Sequence, residues 1–290
     1  MIKIPTKKLN NNIEIPAIGY GVAMLSHGSE LDIAIRTAVE AGYRLFDCAP
    51  AYENEAEVGK ALKDSGVPRE EFFISTKLPN LSHAYEDALK AYDKSRIAFD
   101  LDYIDEYLIH NPIPAQGLYL EAWRAFEKLY TDGLIRVIGL SNFKVNHMQD
   151  VLDHCEIPPM TNEIECNPYY TRIPERSFCK EQGIQPLSWF PLGGPLVGAR
   201  PHALAEFKVL LQDETVTALA DQYEKTPAQI VLRWALENDI VPLPKSAKPA
   251  RILENIDLFD FELTPAEIGV LDALNHDRRL GPDPDNYVIL

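Results

Sequence analysis

Four side chains in the first 110 residues are of the types that move protons and hold charge: Asp47, Tyr52, Lys77 and His110. A phenol ionises near pH 10, so it gives up its proton readily only beside a positive charge such as an ammonium. A carboxylate can hold that ammonium charged and in position. An imidazole can hydrogen-bond an oxygen on which negative charge develops. Taken singly, each also has an ordinary structural role: a turn aspartate, a packed tyrosine, a solvated lysine, a hydrogen-bonded histidine. Proton chemistry follows only if the fold brings all four to one place.

The elements that must do this alternate along the chain. Runs dense in β-branched and aromatic residues occur at 15–21, 44–49, 72–78, 103–110, 137–141, 161–166, 185–190 and 240–244. Amphipathic stretches of helical period separate them, at 30–41, 53–65, 84–98, 118–131, 145–154, 174–181, 214–237 with a break at Pro227, and 265–274. Gly42 and Gly66 follow helical runs as C-cap residues, and Thr264-Pro265 reads as an N-cap with a first-turn proline. Eight strands alternating with helices predict an α/β fold, a single (β/α)8 TIM barrel spanning residues 1–290 as one domain. Residues 8–18, centred on Asn11-Asn12, predict an N-terminal β-hairpin plugging the barrel bottom. The Pro- and Gly-rich stretches 191–201 and 281–284 are long enough to be lids, the second forming a C-terminal tail loop. In such a barrel the reacting groups sit at the C-terminal strand ends, where Asp47, Lys77 and His110 fall, with Tyr52 in the following loop.

The rival fold, an open doubly wound sheet, would carry a G-x-G-x-x-G turn after its first strand. Gly19-Tyr20-Gly21 begins that pattern, but Ala23 and Met24 follow where the third glycine belongs. No tyrosine has lysine four positions on, and there is no P-loop. With 28 Lys and Arg against 44 Asp and Glu, the net charge of -16 disfavours nucleic acid and anionic membranes as partners. No run of about 18 apolar residues could span a bilayer, and the N-terminus has no apolar signal segment, so a cytoplasmic protein is expected. Cys48, Cys155, Cys166 and Cys179 include no C-x-x-C pair, which points to reduced thiols and no metal.

The blocks F-D-C-A-P-A-Y-E-N-E, S-T-K, L-I-H-N-P, G-L-S-N-F, N-E-I-E-C-N-P and L-P-K-S-A-K-P-A-R-I-L-E-N occur in that order, followed by R-R-L-G-P-D-P-D at 278–285. In this order they resemble the signature blocks of the aldo-keto reductases over nearly the whole chain. The resemblance implies a barrel that binds extended NADPH across its C-terminal rim and reduces small-molecule aldehydes or ketones. It implies an Asp47, Tyr52, Lys77, His110 tetrad with Tyr52 as general acid. It also implies that Ser141 and Asn142 hold the nicotinamide carboxamide, that Trp189 stacks on the ring in place of the usual tyrosine, and that Glu254 and Asn255 meet the adenine end. Glu163 stands where a glutamine commonly contacts the carboxamide; Val22, Ala23 and Asn111 depart from the family pattern at the substrate pocket.

The chemistry of the residues agrees. Carbonyl reduction needs a hydride at carbon and a proton at oxygen, the cofactor NADPH/NADP+ supplying the first and the protein the second. Lys245, Lys248 and Arg251 place three cations within seven positions just after the eighth strand, with Ser246 among them. Barrels of this kind tend to bind phosphate there, and the 2′-phosphate of NADPH suits Lys245, Ser246 and Arg251. Two other functions use the same residues: a Schiff-base lyase with Lys77 as nucleophile, and an NADPH-binding regulatory barrel with negligible turnover. Oligomeric state is not readable from the sequence.

Overall fold

The computed structural model describes residues 4–194 and 209–287. Eight parallel strands form the central sheet: β3 (Gly19–Gly21), β4 (Leu45–Asp47), β5 (Phe73–Leu78), β6 (Ile104–Ile109), β7 (Ile135–Ser141), β8 (Thr161–Glu165), β9 (Gln185–Trp189) and β10 (Val241–Pro242). Each pairs with its neighbour in sequence, in the order of a (β/α)8 barrel. The seam between first and last strands is narrow: the Gly21 N–H donates to the Pro244 carbonyl at 3.1 Å. Only glycine fits beside it, because a Cβ on Gly19 would lie 2.5 Å from the Leu243 side chain and 2.6 Å from that of Leu45.

Helices α1 (Ser29–Ala41), α2 (Glu55–Asp64), α3 (Tyr85–Ala98), α4 (Tyr119–Thr131), α5 (Val145–His154) and α6 (Ile173–Gln182) follow successive strands. After β9 come α7 (Glu214–Tyr223) and α8 (Pro227–Glu237), and after β10 come α9 (Pro249–Ile256) and α10 (Pro265–Asp272). The break at Pro227 separates two helices: Glu224 turns left-handed, and Thr226 and Gln229 cap the second reciprocally. Thr264 and Glu267 do the same for α10, with Pro265 in its first turn. Among the described residues no helix is long and apolar enough to cross a membrane.

Most element ends move by one or two residues, and three larger differences from the sequence expectation stand out. The run 15–21 is two strands, because Pro16 ends hairpin strand β2 (Glu14–Pro16), which pairs antiparallel with β1 (Thr6–Lys8), before β3 joins the barrel. The run 240–244 narrows to a two-residue strand. Helix α9 was not expected, since its eight residues begin inside the basic cluster and only Ile252, Asn255 and Ile256 are buried. The hairpin does close the barrel bottom. Asn12 takes a left-handed turn, φ 69°, which asparagine tolerates, and the Asn10 and Asn11 amides donate to the carbonyls of Pro159 and Arg136, each at 3.0 Å. Leu9 and Ile15 bury themselves in one cluster with Leu45, Phe73, Ile104, Ile135 and Val241 from the strands. Of the two expected lids, 191–201 lies outside the described residues from 195 onward.

Candidate active site

The site grows from the alternation of strand side chains. On β6, Tyr107 faces outward and packs on Tyr92 and Phe126 of the helices, so Glu106 and Leu108 face the barrel axis and His110 follows at the mouth. On β5, Thr76 faces outward and donates to Glu55 of α2 at 2.6 Å, leaving Lys77 inside. Asp47 ends β4. A short 3-10 turn at Pro50–Tyr52, with its proline in the first turn and Glu53 left-handed behind it, brings Tyr52 back over the mouth.

Lys77 is the centre. Its ammonium is fully buried and paired with the Asp47 carboxylate, donates to the Cys48 carbonyl at 3.2 Å, and lies 5.5 Å from the centroid of the Tyr52 ring. It also lies 3.2 Å from Oε2 of Glu163, which reaches it from β8 on the far side of the barrel. Burial opposes the Lys77 charge, but Asp47 and Glu163 outweigh it and hold the ammonium well above its ordinary value. Burial likewise pushes the Tyr52 phenol up and the Lys77 charge draws it back, so the phenol stays protonated at neutral pH. His110, depressed to about 3 by burial and then by the charges of Lys77 and His83, is a neutral imidazole. The structure thus gathers Asp47, Tyr52, Lys77 and His110 at one rim, with Tyr52 and His110 partly exposed over a buried Asp47–Lys77 pair.

Asn142 joins the next part of the rim. Left-handed at φ 64°, it donates from its amide to the His110 carbonyl at 2.9 Å and to the Ser141 hydroxyl at 3.1 Å, and accepts from the Trp189 indole N–H at 3.0 Å. The indole is partly exposed to the mouth. Glu163, expected beside the carboxamide contacts, is next to Ser141 in strand register, and its Oε2 lies against Lys77. At the far rim Lys245, Lys248 and Arg251 are exposed, with Ser246 and Asn255 buried between them, whereas Glu254 accepts from the Thr226 hydroxyl at 2.8 Å. None of the three cations is in an ion pair among the described residues; Lys245 donates only to the Met24 carbonyl, at 3.1 Å. An unmatched cationic cluster in so acidic a chain fits a phosphate group.

Several rim residues were not singled out from the sequence. Glu165, two positions beyond Glu163 on the same face of β8, accepts from the backbone N–H groups of Leu280 and Gly281 at 2.7 and 2.9 Å, fastening the C-terminal tail to the mouth. Gly281 is required there, since a Cβ would lie 2.4 Å from the Trp189 ring. His83 is buried beside His110 with no partner on either ring nitrogen among the described residues, and Asn111 donates to Asn80 at 3.2 Å. The N-E-I-E alternation could have revealed Glu165; nothing in the sequence marks His83.

The fold and site define an oxidoreductase barrel, and comparison with known proteins gives its class: residues 17–276 match the aldo/keto reductase family, and the chain belongs to it. It is an NAD(P)-dependent oxidoreductase acting on carbonyl and CH–OH groups. Among its relatives is the glyoxal reductase of Bacillus subtilis, 44% identical over 98% of this chain and 97% of that protein. An aldo-keto reductase from a Medee basin deep-sea metagenome library has a similar structure, with TM-score 0.90, 38% identity, and coverage of 98% of this chain and 100% of that one. The Bombyx mori aldo-keto reductase in complex with NADP is similar at TM-score 0.89 and 34% identity, over 97% of this chain and 96% of that one.

Proposed function

We propose that residues 1–290 act as one cytoplasmic barrel domain that uses NADPH to reduce small, polar aldehydes and ketones, vicinal dicarbonyls above all. The observation that carries this reading is the buried Lys77–Asp47 pair beneath a protonated Tyr52 at the barrel mouth. The substrate class rests on the likeness to a glyoxal reductase and is supported by the small Val22 and Ala23 and by the polar His83, Asn80 and Asn111 that accompany His110 in the chain. Ser141, Asn142 and Trp189 would hold the nicotinamide end; Lys245, Ser246 and Arg251 the 2′-phosphate; Glu254 and Asn255 the adenine. When bound, NADPH supplies the hydride. Tyr52 donates its proton to the carbonyl oxygen, and Lys77 stabilises the phenolate left behind. Neutral His110 keeps a ring N–H that orients the same oxygen and stabilises charge developing on it. Asp47 holds the ammonium in place. The test is a survey of NADPH consumption with glyoxal, methylglyoxal, keto sugars and ketosteroids: kcat/KM should be highest for the dicarbonyls, and no turnover with any of them defeats the proposal.

Two further outcomes follow. Arg251→Ala should weaken NADPH by about tenfold or more and leave NADH within about threefold, since a charge-assisted contact contributes about 1.5–3 kcal/mol and only NADPH has the 2′-phosphate. Equal weakening of both cofactors in a binding titration rejects the phosphate site. NADPH should also quench a large share of the tryptophan fluorescence, because Trp123 and Trp234 are buried in α4 and α8 while Trp189 faces the mouth. A Trp189→Leu protein that is quenched as fully as the parent would remove Trp189 from the nicotinamide.

A further inference from the structure

Two buried carboxyl groups share one ammonium. Asp47 pairs with Lys77 from β4, and Glu163 Oε2 reaches it at 3.2 Å from β8, with no other polar partner among the described residues. All three side chains are almost wholly buried. Two carboxylates against one cation in a dry interior leave one negative charge uncompensated, and a buried group in that position takes up a proton instead. The other groups facing the pair are Glu106 from β6 below, and Tyr52 and His110 at the mouth. Glu106, its carboxyl pushed up to about 7 by burial, is only partly ionised at neutral pH and accepts from Thr161 at 2.7 Å, a partner that Glu163 Oε2 lacks among the described residues. Lys77 already pairs with Asp47, so the proton falls on Glu163, whose carboxyl is pushed well above the usual carboxylate range by burial and by Asp47, against the pull of Lys77.

We propose that Glu163 is a proton-holding positioning residue for Lys77: it carries a proton at rest, gives it up as Lys77 restores the proton lost by Tyr52, and stands as a carboxylate while oxidised nicotinamide is bound. This rests on the reductase reading above. Tyr52 passes its O–H proton to the carbonyl oxygen as a hydride from the reduced nicotinamide reaches carbon. Lys77 returns an N–H proton to the phenolate, and the Glu163 O–H proton restores the ammonium. In sum the carbonyl gains one hydride and one proton and becomes the alcohol, the oxidised nicotinamide would carry one positive charge, and Glu163 becomes negative. The site therefore keeps its net charge through the reaction, and Glu163 regains a proton from solvent when the next reduced cofactor replaces the oxidised one.

Proton release on cofactor binding tests this without turnover. The full-length enzyme is mixed with NADP+ or with NADPH at neutral pH in weak buffer containing a pH-indicator dye. Both cofactors carry the same 2′-phosphate, so its contribution cancels in the difference. NADP+ should release more protons than NADPH, by close to one per site. In Glu163→Gln the difference should vanish, and NADP+ should lose about tenfold in affinity relative to NADPH, the size of an ordinary coupling between two sites. Glu106→Gln should keep the difference. Equal release by the two cofactors in the parent enzyme, which needs no variant, overturns the proposal. So does a difference that survives in Glu163→Gln, or one that disappears in Glu106→Gln. If the enzyme reduces dicarbonyls but shows equal release, only the role of Glu163 falls; if it binds neither cofactor, the reductase reading falls with it.

Discussion

Tyr52→Phe should lower kcat/KM for carbonyl reduction by about two to four decades while leaving NADPH affinity within about threefold. The substitution removes one hydroxyl and keeps the ring that packs over Lys77. Nothing at the cationic rim or around Trp189 depends on that hydroxyl, so cofactor binding has no reason to change. The loss should appear in kcat as much as in kcat/KM, because the proton is needed in the transition state and contributes little to binding the ground state. Burial and the nearby carboxyl groups hold the phenol proton on in the resting enzyme, and only the Lys77 charge favours its departure. Steady-state kinetics with methylglyoxal, alongside a fluorescence titration with NADPH, measures both quantities. Turnover within tenfold of the parent would show that the proton comes from elsewhere.

Asp105→Ala should have the opposite signature, a loss of stability with activity retained. Asp105 lies near the start of β6, at the end of the barrel away from the mouth, and is fully buried. One carboxylate oxygen accepts from Arg69 at 2.6 Å and from the Ile74 N–H at 2.9 Å, and the other accepts from Arg136 at 2.6 Å. Removing the acid leaves the Ile74 N–H unpaired and separates two arginines from their shared partner. Breaking a fully buried pair costs about 3–5 kcal/mol; with the Arg69 and Arg136 side chains 24% and 41% exposed, water recovers part of this, so about 2–4 kcal/mol is expected. Urea unfolding measures the loss, and kcat/KM of the folded variant should stay within about threefold. A loss under about 1 kcal/mol, or a collapse of activity in folded protein, would contradict this division between a stabilising bottom and a reactive top.

The two predictions mark what could be read from sequence. Runs of β-branched and aromatic residues and their count were visible, so Asp47, Lys77 and His110 could be placed at strand ends from the sequence alone. Hairpin and helix caps carried by Asn11-Asn12 and Thr264-Pro265 were equally local and equally legible. Contacts across the barrel were not. Glu163 and Lys77 belong to strands three apart in the sheet, and whether their side chains meet depends on the stagger of the whole barrel, which no local pattern encodes. The resemblance pointed Glu163 to the carboxamide and could not foresee its contact with the ammonium. Helix α9 was hidden for a different reason: at eight residues, half of them exposed, its periodic signal is too short to stand out from the cationic run that begins it. His83 gave no signal because a loop histidine acquires meaning only from what surrounds it, here His110.

The central claim, that a hydride delivered to a carbonyl carbon is matched by a proton from the rim, is tested most directly by isotope transfer. The enzyme is incubated with methylglyoxal and NADPH carrying deuterium on the transferable position of the reduced nicotinamide, and the product is examined by mass spectrometry. The account predicts one deuterium per molecule on the new carbinol carbon, formed at a rate that falls by about two decades or more in Tyr52→Phe. Product without deuterium, or a borohydride-trapped adduct of the substrate on Lys77 formed in the absence of cofactor, would contradict it.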